Sequence, residues 1–208
     1  VPRQNDITYS PGFSETLRTD AAVIYDQAFG AKISLAIPDR DKRIALLAEW
    51  LLPNFAFAAL MNDELVGLAG FHTPDGSLTG GVTGRSLLSK LGWIRGLWAV
   101  YLLSLYQRTP DDGQLVMDGI AVRGDMRGRG IGGQLLDQLT CYARENGYTR
   151  IRLDVIDTNP AARRLYERKG FQSVHTERFP FLKWYLGFGA ATQMELAVTP
   201  ASSHMAKQ

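Results

Sequence analysis

The sequence predicts an α/β domain, on three observations. Leu115 to Val122 reads as a strand that runs through a glycine-rich loop into a helix, whose Ile131, Leu135, Leu136, Leu139 and Ala143 recur at helical spacing. Arg150 to Ile156 alternates, with Ile151, Leu153 and Val155 on one face and Arg150, Arg152 and Asp154 on the other. Asn54 to Met61 and Leu65 to Phe71 are apolar runs joined by Asn62, Asp63 and Glu64, the pattern of a tight hairpin.

The remaining elements follow in order. Ile7 to Tyr9 is a short first strand, ended by Ser10, Pro11 and Gly12. Ser14 and Glu15 open a helix whose Leu17, Ala21, Ile24, Tyr25 and Ala28 share a face until Gly30. A second helix starts at Asp39 after Pro38, turns Ile44, Leu47, Ala48 and Leu51 inward and stops at Pro53. Gly147 closes the helix of the central loop. Asn159 as cap and Pro160 in the first turn open another, which Gly170 ends. Phe171 to Thr176 and Gln193 to Val198 are the last strands, with an aromatic loop of Phe179, Phe181, Trp184, Tyr185 and Phe188 between them.

One stretch interrupts this pattern. An insertion at about 74–112 begins with turn residues and continues as a helix-like run from Ser86 to Tyr106, apolar on more than one face. Packing within the fold, a lid over a pocket, or pairing with another copy as a homodimer would each bury it. The expected organisation is one domain over 1–200 carrying this insertion, then a flexible tail at 201–208.

Composition narrows the function. Across 208 residues, 45% are apolar and 10% aromatic, enough for a core rather than a disordered chain. A net charge of +2 is too small to argue for a nucleic-acid partner. The single cysteine, Cys141, excludes an internal disulfide framework; its mid-helix position predicts a packed thiol. Residues near the start are polar (Arg3, Gln4, Asn5, Asp6), without the pattern of a signal peptide. The longest apolar run, Leu91 to Tyr106, contains Arg95 and is shorter than the ~20 residues of a membrane span. The expected location is cytoplasmic. No spacing suits a metal; His175 and His204 offer no partner, and His72, at the end of the hairpin's second strand, is a poorer base candidate that reads as a hydrogen-bonded structural histidine.

The loop from Val122 to Gly133 (V-R-G-D-M-R-G-R-G-I-G-G) is where chemistry is expected. Gly128, Gly130, Gly132 and Gly133 stand at a helix start, where each costs about 1 kcal/mol relative to Ala. Arg123, Arg127 and Arg129 crowd the end where the helix dipole is already positive, answered nearby only by Asp125. Stability alone would favour Ser, Asp or Glu there. Free amides, bendable backbone and cations in one place make an anion site, most simply for a phosphate or pyrophosphate.

A second motif follows one strand later: N-P-A-A-R-R-L-Y-E-R-K-G-F, Asn159 to Phe171. Together the two resemble the GNAT acetyltransferase superfamily, with its Q/R-x-x-G-x-G/A loop and N-x-x-A-x-x-L-Y-x-x-x-G-F helix. Arg127, Gly130 and Gly132 match the first pattern; Asn159, Ala162, Leu165, Tyr166, Gly170 and Phe171 match the second. The close match runs from about Met117 to Phe171, and it implies a mixed central β-sheet flanked by helices.

The resemblance also implies acetyl-CoA as acyl-donor co-substrate, with no metal, and a small-molecule or protein amine as acceptor. Arg127, Gly128, Arg129, Gly130, Ile131 and Gly132 would hold the pyrophosphate. Backbone groups of Ile120, Ala121 and Val122 would pair with the pantetheine arm as a substitute strand. Asn159, Ala162 and Tyr166 would flank that arm, although Asn159 also reads as a simple helix cap. Tyr166 occupies the family's usual position for protonating the leaving thiolate, and a core tyrosine is the alternative. Asp118 is the candidate base, subject to a strand register in which one slip turns it away. Without turnover, the same features would make an acyl-CoA-binding module with the insertion as its interface. A dinucleotide enzyme is disfavoured, since the glycines come late and no ribose-binding acid follows at the expected spacing.

Overall fold

The computed structural model describes residues 7–82, 110–179 and 187–201. The elements are β1 (Ile7–Pro11), α1 (Arg18–Ile33), α2 (Arg40–Trp50), β2 (Ala56–Met61), β3 (Glu64–Thr73), β4 (Gly76–Ser77), β5 (Gln114–Val122), α3 (Ile131–Glu145), β6 (Arg150–Ile156), α4 (Pro160–Arg168), β7 (Gln172–Arg178) and β8 (Ala190–Ala197). The strands form one mixed sheet in the order β1-β2-β3-β5-β6-β8-β7, with β4 paired to β3 beside that path. Only β5 and β6, among the described pairs, run parallel.

Local chemistry explains most boundaries. Asn62 and Asp63 adopt φ of 51° and 63°, so they form a two-residue turn and Glu64 already pairs with Met61. Asp39 and Asn159 cap α2 and α4 through side-chain oxygens on the N–H groups of Lys42 and Ala162, and Ser14 caps the short 3-10 turn Glu15–Leu17 that leads into α1 through the N–H of Thr16. Gly30 does not end α1, which continues to Ile33. A Cβ at Gly30 would stand 2.4 Å from Asp26 Oδ1, so the glycine serves close packing.

The sheet separates two cores. One face carries Phe57, Phe71, Leu115 and Met117 against Ile131, Leu135, Leu136 and Leu139 of α3. The other carries Ala58, Leu65, Leu68 and Ala121 against Ala21, Ile24 and Tyr25 of α1 and Leu47 of α2. The α1–α2 pair is locked by charge. Asp26 and Arg43 form an ion pair with side chains only 4% and 8% exposed, and Arg43 Nη1 also donates to the Ile37 carbonyl at 2.7 Å. Arg18 Nη1 reaches the carbonyls of Ala48, Glu49 and Leu51, answering acceptors that the end of α2 leaves open.

Cys141 is exposed, with Sγ donating to Glu145 Oε1 at 3.3 Å, which corrects the packed thiol expected from sequence. It falls on the outer side of α3 because Leu139 and Ala143 take the buried stripe. The helix-like run at 86–106 and most of the aromatic loop lie outside the described residues, as does the end of the tail.

Arg43→Ala leaves the buried Asp26 carboxylate with the exposed Arg40 guanidinium, Nε 3.4 Å from Oδ2, as its remaining cationic partner. It is expected to lower unfolding stability by about 3–5 kcal/mol in urea titration. A loss under about 1 kcal/mol would mean that Arg40 or water satisfies Asp26 in its place.

Candidate active site

β5 and β6 pair only at Gln114↔Arg150, Leu115↔Ile151 and Val116↔Arg152. Beyond that point the two strands have other commitments. β5 remains paired to β3 as far as Val122↔Gly67, and β6 remains paired to β8 as far as Ile156↔Ala191. The sheet therefore forks, and the β6-facing edge of β5 from Met117 to Val122 has no strand partner among the described residues.

A bulge sits just past the base of the fork. Phe71 pairs with Met117 and Gly70 with Gly119, leaving Asp118 as the extra residue on β5. Bulges bend a strand and strengthen its twist, which accounts for β5 leaving β6 here. The bulge also settles the register question. Met117 belongs to the α3-side core before it, and Ile120 and Val122 pack against that same core after it, although their numbering has changed parity. Asp118 is turned to the opposite face, among Tyr25 and the backbone of Leu78 and Thr79. Gly119 at φ 151° is needed because a Cβ there would lie 2.4 Å from the Phe29 ring.

Asp118 is half-buried as a residue, yet its Oδ2 is fully covered and has no hydrogen-bond partner. Burial pushes the carboxyl up from 3.8 to about 6, against the opposing pull of the Leu78 and Thr79 amides. The Tyr25 phenol is raised by burial and by the Asp118 charge.

Tyr166 lies on the other side of the sheet. It is 7% exposed in the α3-side core, with its ring centroid 6.0 Å from that of Phe171. Burial alone pushes its phenol up to about 12. Leu165 fixes α4 against the helix start: a Cβ on Gly132 would meet Leu165, Ile120 and Val122 at 3.5 to 4.0 Å. Lys169 adds an ion pair to Asp137 of α3 at 2.6 Å. Asp118 and Tyr166 thus lie on opposite faces of the sheet.

The glycine loop closes the open end. Gly128 and Gly130 have φ of 79° and 83°, a left-handed backbone that other residues adopt with strain, and nothing lies within 4 Å of a Cβ built on either. Consecutive N–H groups from Gly128 to Gly132 make no hydrogen bond among the described residues. Gly130 caps α3 with no side-chain partner.

The three arginines do not act alike. Arg123 is held by Asp125 at 2.8 Å and Glu64 at 3.1 Å, so it pins the loop to β3 rather than facing an anion. Arg127 Nε donates to the Val122 carbonyl at 3.1 Å, joining the loop to the end of β5. No described residue makes an ion pair with Arg129. Asn159 Oδ1 caps α4 through Ala162 N at 3.1 Å, a bond that leaves its amide nitrogen unused.

His175 is exposed on β7, and His72 stands opposite Val116 on β3. Among the described residues no cluster of His, Cys, Asp and Glu could hold a metal, and no helix is long and apolar enough to cross a membrane. Two features escaped the sequence reading. The bulge had a signal, a glycine directly after an aspartate inside a strand pattern. Arg152, whose Nε is buried without a hydrogen-bond partner, had none, because it alternates like any outward-facing charge.

The acetyltransferase (GNAT) family model matches residues 24–171, most of the chain and every element of the fork. The chain belongs to the GNAT family. Its fold is that of GNAT structures. yncA of Salmonella typhimurium, solved with its cofactor acetyl-CoA, superposes with a TM-score of 0.60 at 18% identity over 98% of this chain and 100% of that one. The ribosomal-protein-S18-alanine N-acetyltransferase of Escherichia coli gives 0.53 at 18% identity over 97% and 99%. A Xenopus tropicalis protein named "Probable N-acetyltransferase camello" is 34% identical over 74 residues, 36% of this chain. The matching stretch spans 34% of that protein's length.

The raised Asp118 carboxyl makes a stability prediction. Its folded value lies above 3.8, so the stability held by the neutral form is full below that pH and is lost as pH rises through about 6. Between pH 4 and 6.5 this GNAT chain should therefore lose stability relative to its Asp118→Asn variant, read as diverging urea midpoints. Parallel midpoints across that range would contradict the burial of this carboxyl.

Proposed function

We propose that the protein transfers an acyl group, most simply acetyl, from coenzyme A to a primary amine by direct attack in a ternary complex. The observation that carries this reading is the fork. It offers an unpaired strand edge, a row of free amides at its open end, and a titratable group on each face.

The backbone groups of Ile120 and Val122, which point away from β3, pair with the amides of the pantetheine arm, which takes the place β6 has left, while Ala121 between them is held to β3. The N–H groups of Gly128 to Gly132 receive the pyrophosphate, with Arg129 and the free end of Arg127 supplying charge. Asn159 and Ala162, at the mouth of α4, flank the arm. The thioester then lies between the faces, with the amine arriving on the Asp118 side.

Asp118 takes a proton from the incoming ammonium, and the amine lone pair attacks the thioester carbon. The carbonyl oxygen gains charge and is stabilised by a backbone N–H at the end of β5, that of Val122 being suitably placed in sequence. The adduct collapses by breaking the C–S bond and losing its second N–H proton, giving an amide and a thiolate. Tyr166 keeps its proton at neutral pH, because its phenol is raised to about 12. An ordinary thiol has a pKa of roughly 8.5, so full transfer from Tyr166 to sulfur runs uphill. Tyr166 therefore serves chiefly as a hydrogen-bond donor to the departing thiolate, which receives the adduct's proton.

Thiol release from acetyl-CoA with a broad amine panel tests the reading directly. Tight binding with no thiol released would leave a binding module and no enzyme. Arg129→Glu is expected to weaken acetyl-CoA binding by at least tenfold in calorimetry, and unchanged affinity would remove the loop from the site. Tyr166→Phe should lower kcat roughly ten- to a hundredfold with little change in KM. The wild-type kcat/KM should rise about tenfold per pH unit below pH 6 and level off above it, a limb that Asp118→Asn abolishes. A flat profile between pH 5 and 7 would mean that Asp118 is not the base.

A further inference from the structure

The face of the sheet that carries Asp118 continues across β6 and β8 with charged and amide side chains. Ile151, Leu153 and Val155 face the α3 core, which leaves Arg150, Arg152 and Asp154 on the Asp118 side. On β8, Met194 belongs to that same core, and Gln193 and Glu195 alternate with it to the Asp118 side. Three buried side-chain polar atoms among the described residues have no hydrogen-bond partner: Trp50 Nε1, Asp118 Oδ2 and Arg152 Nε. Trp50 packs in a separate cluster with Ala36, Ile37 and Leu46. The other two share the base of the fork.

Their placement is complementary. Arg152 stands beside Val116 in the last pair before the strands diverge, and Asp118 is two residues further along β5 on the same side. Two residues of strand span about 6.6 Å. One orphan is a carboxylate oxygen, which needs a donor; the other is a guanidinium N–H, which needs an acceptor. They do not satisfy each other, and leaving either buried without a partner is unfavourable. The neighbours of Arg152 do not meet the need. Asp154 Oδ2 is 3.7 Å from Nη2, at the other end of the fork-shaped group. Glu195, opposite Arg152 on β8, already accepts at Oε1 from Gln114 Nε2 at 3.4 Å and Gln193 Nε2 at 3.0 Å. The Arg152 side chain keeps 16% exposure, although its Nε atom itself is covered.

We propose that the acceptor is an α-amino carboxylate, whose ammonium meets Asp118 Oδ2 and whose carboxylate meets Arg152 Nε. This rests on the acyl-transfer reading and names its substrate class. An α-amino acid holds its nitrogen and its carboxylate oxygens three bonds apart, so one molecule offers both a donor and an anionic acceptor to two neighbouring side chains. A plain amine or a polyamine would satisfy Asp118 and leave the guanidinium N–H dry. A carboxylate on guanidinium is also the stronger, charge-assisted bond. Arg152 therefore sets specificity and orients the nitrogen, while bond making and breaking remain with the groups at the thioester.

The test uses the full chain, acetyl-CoA and matched acceptors read by thiol release. Phenylalanine, leucine and methionine are each compared with their amide and their decarboxylated amine. In at least one series the acid should exceed both analogues in kcat/KM by tenfold or more. Arg152→Met should collapse that ratio toward one, chiefly through KM for the acid, and Arg152→Lys should restore it only in part. Calorimetry with acetyl-CoA checks that each variant is folded, and the wild-type comparison decides by itself if Arg152→Met is not. Amines or amides outpacing the acids in every series, or a preference that survives Arg152→Met, overturns the proposal while acyl transfer stands. No thiol release from any of the nine acceptors, with acetyl-CoA bound, overturns both.

Discussion

A sheet of this size ordinarily completes its ladders, because an unpaired strand edge in the middle leaves backbone donors and acceptors unanswered. Here β5 and β6 pair for three residues and then part. The parting is enforced from both sides: β3 holds β5, β8 holds β6 along its full length, and the bulge at Asp118 bends β5 at the point of divergence. The backbone left open inside a folded protein is a binding surface that extended amides can complete.

The bulge does two jobs with one inserted residue. It opens the sheet, and it turns Asp118 to the α1 face while restoring Ile120 and Val122 to the α3 face. Asp118 and Tyr166 consequently stand on opposite sides of the sheet, with burial raising both. The supports are conventional by comparison. The buried Asp26–Arg43 pair fixes α2 on α1, α1 sets Phe29 behind Gly119, and Leu165 with Lys169 holds α4 to the start of α3. Arg123 belongs with these supports. It ties the glycine loop to β3, while the amides of 128–132 and Arg129 stay without a hydrogen bond or ion pair among the described residues.

Much of this was legible in sequence wherever the signal was local. Capping residues, the two-residue turn at Asn62 and Asp63, and the alternation of β6 each encode their element within a few positions. The glycine loop announced itself by breaking the rules of a helix start. Long-range pairing left no such trace: nothing in Ala190–Ala197 says that it inserts between β6 and β7, and β4 is too short to have a period. Arg123 was misread because its partner Glu64 is 59 positions away in the chain. Gly30 was misread as a stop because a glycine that admits Asp26 looks the same in sequence as one that ends a helix. Asp118 could be named from sequence but not oriented, since only the bulge decides its face.

Hydrogen exchange of the backbone amides, read by mass spectrometry with and without millimolar coenzyme A, addresses the fork most directly. If the gap between β5 and β6 is where the pantetheine arm completes the sheet, peptides covering 117–122 and 128–132 will exchange more slowly with the ligand, while those covering β1 and β7 will not change. Uniform exchange across all four regions at that concentration would contradict the account and leave the fork as an unexplained break in the sheet.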